Sequence, residues 1–127
     1  MTASVVLRRR VLYADEEPLM PALAVFPHQL VAATRIVGAD DVAEGTATVL
    51  AAAGLPLVRW EDEIVPRGPR PEEDALLRIP RGVGVLQLAR TSHDPTERRS
   101  GVYLLTLAAD HHILRHADTN AQGEDLP

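Results

Sequence analysis

The chain has 127 residues, 46% of them hydrophobic, a formal net charge of -5 and no cysteine. That length suits one domain with a real core. Without cysteine, disulfides, thiolate catalysis and cysteine-ligated zinc are excluded, and the acidic balance argues against a general nucleic-acid binder, which carries a basic stripe. No apolar run nears the ~20 residues needed to span a bilayer. Residues 2–10 hold no signal-peptide core, so a cytoplasmic protein without membrane contact is expected. Lysine is absent and arginine occurs 13 times. Every fixed cation is therefore a guanidinium, and no side chain can form a Schiff base. The abundance of Ala, Gly and Pro alongside Arg fits a GC-rich coding sequence better than a mechanism.

Residues 5–13 read as a strand from their β-branched and apolar content. The odd positions Val5, Leu7, Arg9, Val11 and Tyr13 are expected to face the core. The even positions carry Arg8 and Arg10 together on the other face. Ala14-Asp15-Glu16-Glu17 is a turn, and residues 19–26 return as a strand that is apolar on both faces. Pro21 within it predicts an edge position or a bulge. The same hairpin pattern recurs over residues 85–93 and 101–107, with a turn at Asp94-Pro95-Thr96-Glu97. Arg10 and Arg90 hold matching places, one strand before each turn. Two hairpins so related predict a duplicated sheet closing around one ligand.

Between the hairpins, Asp40-Asp41 offers an N-cap for a helix over residues 42–53, with Gly54 and Pro56 ending it. Residues 57–65 return to extended structure, and residues 66–69 form a loop. Pro71-Glu72-Glu73-Asp74 starts a short helix, because proline suits the first turn and acids complement the positive end of the helix. Arg81-Gly82 turns into the second hairpin. Ala109-Asp110 is a further turn, and residues 112–116 are expected to form a last short strand. One domain is expected over residues 1–117, with a polar flexible tail over residues 118–127.

Several of these segments resemble one known family. The residues are Arg8-Arg9-Arg10-Val11, Tyr13-Ala14-Asp15, Glu17-Pro18 and Phe26-Pro27 in the first hairpin. They continue with Ala53-Gly54, residues 59–63, Pro71-Glu72-Glu73, Leu77, residues 79–86, Arg90-Thr91 and Ala109-Asp110-His111-His112. In this order and spacing they resemble the UTRA domain, the effector-binding half of HutC-type GntR transcription regulators, over residues 5–117. The resemblance implies an α+β, chorismate-lyase-like fold: a mostly antiparallel sheet with flanking helices and a small-molecule pocket. It also implies a homodimer and no cofactor.

Two departures from the family pattern bear on function. The winged helix-turn-helix is missing, so this chain is not expected to bind nucleic acid directly, and Met1-Thr2-Ala3-Ser4 suggests a stand-alone protein. By alignment, Gly101 and Leu104 replace an acidic and a basic position of sugar-phosphate-sensing relatives, while Leu23 and Ala24 replace polar residues of the first return strand. Arg8, Arg10 and Arg59 remain as anion clamps, since guanidiniums bind carboxylate and phosphate bidentately. The expected ligand is therefore amphiphilic or partly anionic, and more apolar than an amino sugar phosphate.

The candidate ligand-binding residues are Arg8, Arg10, Arg59, Trp60, Glu61, Arg90 and Tyr103. Each has a plain structural alternative. Arg8 and Arg10 could be a solvated strand face. Arg90 could pair with Glu61 or Glu63, and this pairing is favoured over a pocket role. Trp60 and Tyr103 could be core. If the fold hosts chemistry, Glu61, Glu63 and Arg10 are the catalytic candidates, although surface charge explains the acidic cluster better. His111, His112 and His116 match no metal-ligand spacing, so no metal is expected. The main functional expectation is a small-molecule-binding domain resembling a regulator's sensing half. The alternative is an enzyme on the same fold, a cyclase or lyase in secondary metabolism.

Overall fold

The computed structural model describes residues 4–117; the tail expected over residues 118–127 lies outside them. Five strands form one antiparallel sheet: β1 (Val5–Ala14), β2 (Glu17–Pro27), β3 (Arg59–Arg67), β4 (Val85–His93) and β5 (Arg99–Ala108). Their order is β1-β2-β5-β4-β3. The short helices are α1 (His28–Val31), α2 (Thr46–Ala52) and α3 (Pro71–Leu77), with a single 3-10 turn at Arg35–Val37. The two hairpins thus lie side by side in one sheet. They do not wrap around a shared space, as their duplication suggested. Their only mutual pairing is Ala22–Val25 of β2 against Val102–Leu105 of β5.

Both hairpin turns fall where the sequence placed them, and each has a local cause. Asp15 and Glu16 sit at φ 49° and 69°, the left-handed pair that matches a two-residue turn to strand twist. In the second turn Asp94 is the organiser. Its carboxylate accepts from Thr96 N (2.8 Å), Thr96 Oγ1 (2.7 Å), Arg98 N (3.1 Å) and Arg98 Nε (2.9 Å).

Directly paired residues share a face, so the register sorts every side chain. Val6, Phe26, Gly101, Ser92 and Trp60 form one row of the front face, followed by Arg8, Ala24, Tyr103, Arg90 and Asp62. The front carries α1, the 3-10 turn and α2. Its core is Phe26, Val31, Ile36 and Leu50, with Val6, Ala24 and Tyr103 packed against it. The back face carries α3.

This reverses the expected orientation of β1. The even set faces the core, while Val5 and Leu7 of the odd set are about half exposed (53% and 52%). An apolar majority on the odd positions misleads here, because β1 is an edge strand and its helices cover only the other face. Arg8 can occupy that covered face because three backbone carbonyls accept from its guanidinium. Nη1 donates to the carbonyls of Ile36 (3.0 Å) and Gly38 (2.6 Å), and Nη2 to that of Asp40 (2.7 Å). It satisfies an irregular segment that has no ladder partner. Pro21 sits inside the sheet, but just beyond the last β2–β5 pair, where its missing N–H costs nothing to that ladder.

Other boundaries shift for identifiable reasons. α2 begins at Thr46, four residues later than expected, because Gly45 at φ 88° breaks any continuation from Asp41. Gly54 at φ 81° ends it, with Leu55 N donating to Leu50 O (2.8 Å), as its sequence position implied. β3 runs two residues further, through Pro66 and Arg67, which were assigned to a loop. Arg67 ends there because Glu73 of α3 binds it at two points (2.7 Å each), while also accepting from Arg70 N (2.8 Å). The last strand expected over residues 112–116 does not form. A turn after Ala108 leads the chain off the sheet, and Ile113 is left exposed.

Candidate ligand-binding site

A cavity of about 260 Å³ lies on the front face, between the sheet and the segment leading into α2. Its sheet wall is Arg8, Arg9, Arg10, Ala22, Ala24, Tyr103 and Leu105; Asp41, Val42, Gly45 and Thr46 face them. Strand alternation brings Arg8 and Arg10 to this side, one residue pair apart. Their roles differ. Arg8 is a latch holding residues 36–40, as described above. Arg10 forms no ion pair among the described residues, so its charge remains available at the cavity.

Tyr103 is placed by the second hairpin. Its ring meets Phe26 edge-on, with centroids 5.8 Å apart at 85°, an arrangement that favours the ring quadrupoles. Its hydroxyl lies 3.4 Å from Thr46 Oγ1. Burial holds the phenol above its ordinary pKa, partly offset by Thr46. Tyr103 is thus a neutral donor and acceptor near Arg10. Arg10, the two hydroxyls and the apolar wall can hold an anionic group at one end and an apolar body at the other, with the Asp41 carboxylate also lining the cavity.

The remaining sequence candidates gather elsewhere, on the β3 side of the sheet. Arg90 does not pair with Glu61 or Glu63. It grips Asp62 with Nε and Nη2 (2.8 and 2.9 Å) and lies 5.3 Å from the Trp60 ring centroid. Asp62 is its direct cross-strand neighbour, whereas Glu61 and Glu63 point to the other face. The Arg90 contact lowers the Asp62 pKa. Trp60 is about half exposed, without helix cover.

Arg59 donates to Glu61 and, at 2.8 Å, to Glu97. Those hydrogen bonds raise the Arg59 pKa, and the Arg59 contact lowers that of Glu61. A general base needs the opposite shift. Glu61 and Glu63 are both solvent-exposed on an edge strand, away from the cavity.

The four substituted positions that suggested one altered pocket also divide. Ala24 and Gly101 face the front, whereas Leu23 and Leu104 are direct partners on the back. Gly101 has a packing reason: a Cβ there would stand 3.1 Å from two atoms of the Phe26 ring. Thr46 and Val42 lie outside the seven sequence candidates, and their approach to Arg10 depends on how the 38–45 segment folds back.

A five-stranded antiparallel sheet with helices and a small cavity on one face defines an α+β ligand-binding domain. The chain belongs to the UTRA domain family, whose model matches residues 2–113. Similar solved structures include the ligand-binding domain of a putative GntR-family transcriptional regulator from Bordetella bronchiseptica. It has a TM-score of 0.75 and 21% identity, covering 92% of this chain and 74% of that one. The effector domain of PhnF from Mycobacterium smegmatis gives 0.74 and 21%, over 89% and 70%. The C-terminal domain of the histidine utilization repressor from Pseudomonas syringae gives 0.73 and 17%, over 91% and 79%. The chain spans about half (51%) of whole PhnF. No match is found among curated proteins.

Proposed function

We propose that this UTRA domain is a sensor of a small, partly anionic, partly apolar metabolite held in the front cavity. The carrying observation is Arg10, a guanidinium without an ion-pair partner among the described residues, at a cavity whose apolar wall is Ala22, Ala24, Val42 and Leu105 and whose one carboxylate is that of Asp41. Arg10 binds the anionic group, Tyr103 and Thr46 bind an adjacent polar atom, and the apolar wall takes the rest. A volume of about 260 Å³ is just below the usual range of small-ligand sites, which favours a small metabolite.

The domain acts as a homodimer, and its response passes to a DNA-binding partner. Support for self-association comes from β3, an edge strand with Trp60, Ile64 and Val65 each about half exposed. A cyclase or lyase reading has no comparable support, since Glu61 is a paired surface carboxylate.

The test is a thermal-shift screen of short-chain monocarboxylates and phosphomonoesters against the full chain. The expected result is a concentration-dependent rise in Tm for one class, lost in Arg10→Gln. A ligand that stabilises Arg10→Gln equally, or is consumed on incubation, refutes the assignment.

A further inference from the structure

The pairing that joins the hairpins stops at Ala22 and Leu105, although β2 and β5 both continue. At this fork the back face opens into a second cavity of about 470 Å³, well within the range of small-molecule sites. Its floor is apolar. Leu23 lies directly opposite Leu104, with Pro21 and Leu76 of α3 beside them. All four are only half-buried, because a seven-residue helix covers too little of the sheet.

The rim carries the chemistry. Arg9, Arg10, Arg67 and Arg70 line it with four guanidiniums against the carboxylates of Glu72 and Glu73. Arg67 is committed to Glu73. Arg9 and Arg70 form no ion pair among the described residues. Arg9 is the cross-strand neighbour of Leu23, so the charge stands next to the apolar floor. With Arg67 paired to Glu73, Arg9, Arg10 and Arg70 face the Glu72 carboxylate, so the rim is net positive.

The geometry points to a second binding site on the back of the sheet, for an apolar monocarboxylate. Its carboxylate pairs with Arg9, and its hydrocarbon part lies along Leu23, Leu104 and Leu76. The two cavities meet at Arg9, Arg10, Ala22 and Leu23, which line both; strand alternation puts the Arg9 side chain on the back of β1 and that of Arg10 on the front.

The test uses octanoate and 1-octanol as probes on the full chain, followed by methyl NMR. Octanoate is expected to bind saturably and to shift the methyls of Leu23, Leu76 and Leu104. It should bind more tightly than the neutral alcohol. Arg9→Gln, a change at an exposed side chain that leaves the fold intact, is expected to weaken octanoate about tenfold. Arg99→Gln, at the far end of β5, is expected to leave it unchanged. Shifts confined to Val42 and Leu105 would assign the probe to the front cavity and overturn the proposal. Equal affinity in Arg9→Gln, a preference for octanol, or no saturable binding would also overturn it.

Discussion

The Phe26 ring occupies the space that a side chain at position 101 would need: a Cβ on Gly101 would meet Cδ1 and Cε1 of Phe26 at 3.1 Å. Phe26 is wholly buried at the centre of the core and also meets Tyr103 edge-on. Gly101→Ala is therefore expected to force the ring aside, at a cost of about 1–3 kcal/mol, the usual penalty for overpacking. Gly101→Glu, which restores the acid type of sugar-phosphate-sensing relatives, is expected to destabilise the fold further without creating sugar-phosphate binding. Urea denaturation of the two variants, with a binding assay on the second, checks both statements.

Arg8 offers a different kind of test, because its three acceptors are all backbone carbonyls. Arg8→Gln removes the charged donors to Ile36, Gly38 and Asp40. Loss of this latch is expected to cost about 1–3 kcal/mol, since the segment has little regular structure of its own. The loosening should be local. Hydrogen exchange should accelerate at residues 36–42, while the β4–β5 ladder keeps its protection. Uniform acceleration across the sheet would mean that Arg8 supports global stability instead.

Legibility in the sequence followed the range of the interaction. Both hairpins, their turns, the start of α3 at Pro71 and the stop at Gly54 were readable because each rests on residues within one turn of the chain. The facing of β1 was not, since Val5, Leu7 and Val11 look like a core stripe until the helices are known to lie on the other side. Of the site candidates, Arg8, Arg10 and Tyr103 line the front cavity. Arg59, Trp60, Glu61 and Arg90 were named with them but lie towards the opposite edge. Sequence order brings those residues near the second hairpin, but sheet order β1-β2-β5-β4-β3 sends β3 to the far side. The back cavity was hidden for a related reason. Leu23 and Leu104 were noticed separately as apolar replacements, and only the β2–β5 register makes them neighbours.

The exposed edge at β3 makes self-association measurable. Trp60 is the chain's only tryptophan, and it lies on the surface beneath Arg90. Pairing of two β3 edges would exclude water from its ring. Light scattering is expected to report a dimer, and dilution should shift Trp60 emission to the red as dimers part. Ile64→Lys places a charge on that edge, a common device against strand pairing, and is expected to give a monomer with wild-type secondary structure. A dimer that survives Ile64→Lys with unchanged Trp60 emission would move the interface elsewhere.

Asp94 governs the response to acid. Its carboxylate is buried in the β4–β5 turn, where hydrogen bonds led by Thr96 bring its pKa from 3.8 to about 2. The folded pKa lies below the unfolded one, so folding favours the ionised form. The resulting stability is fully present above pH 3.8 and is lost as pH falls towards 2. Asp94→Asn lacks this titration and also turns one acceptor oxygen into a donor facing Thr96 and Arg98 N–H groups. The variant is expected to be less stable than wild type at neutral pH. The gap should stay constant down to about pH 4 and narrow below it, where the wild type loses its advantage. Parallel urea titrations across that range test the sign directly. A gap that widens as the solution becomes more acidic would mean that the Asp94 carboxyl is protonated more readily in the folded turn than in the unfolded chain.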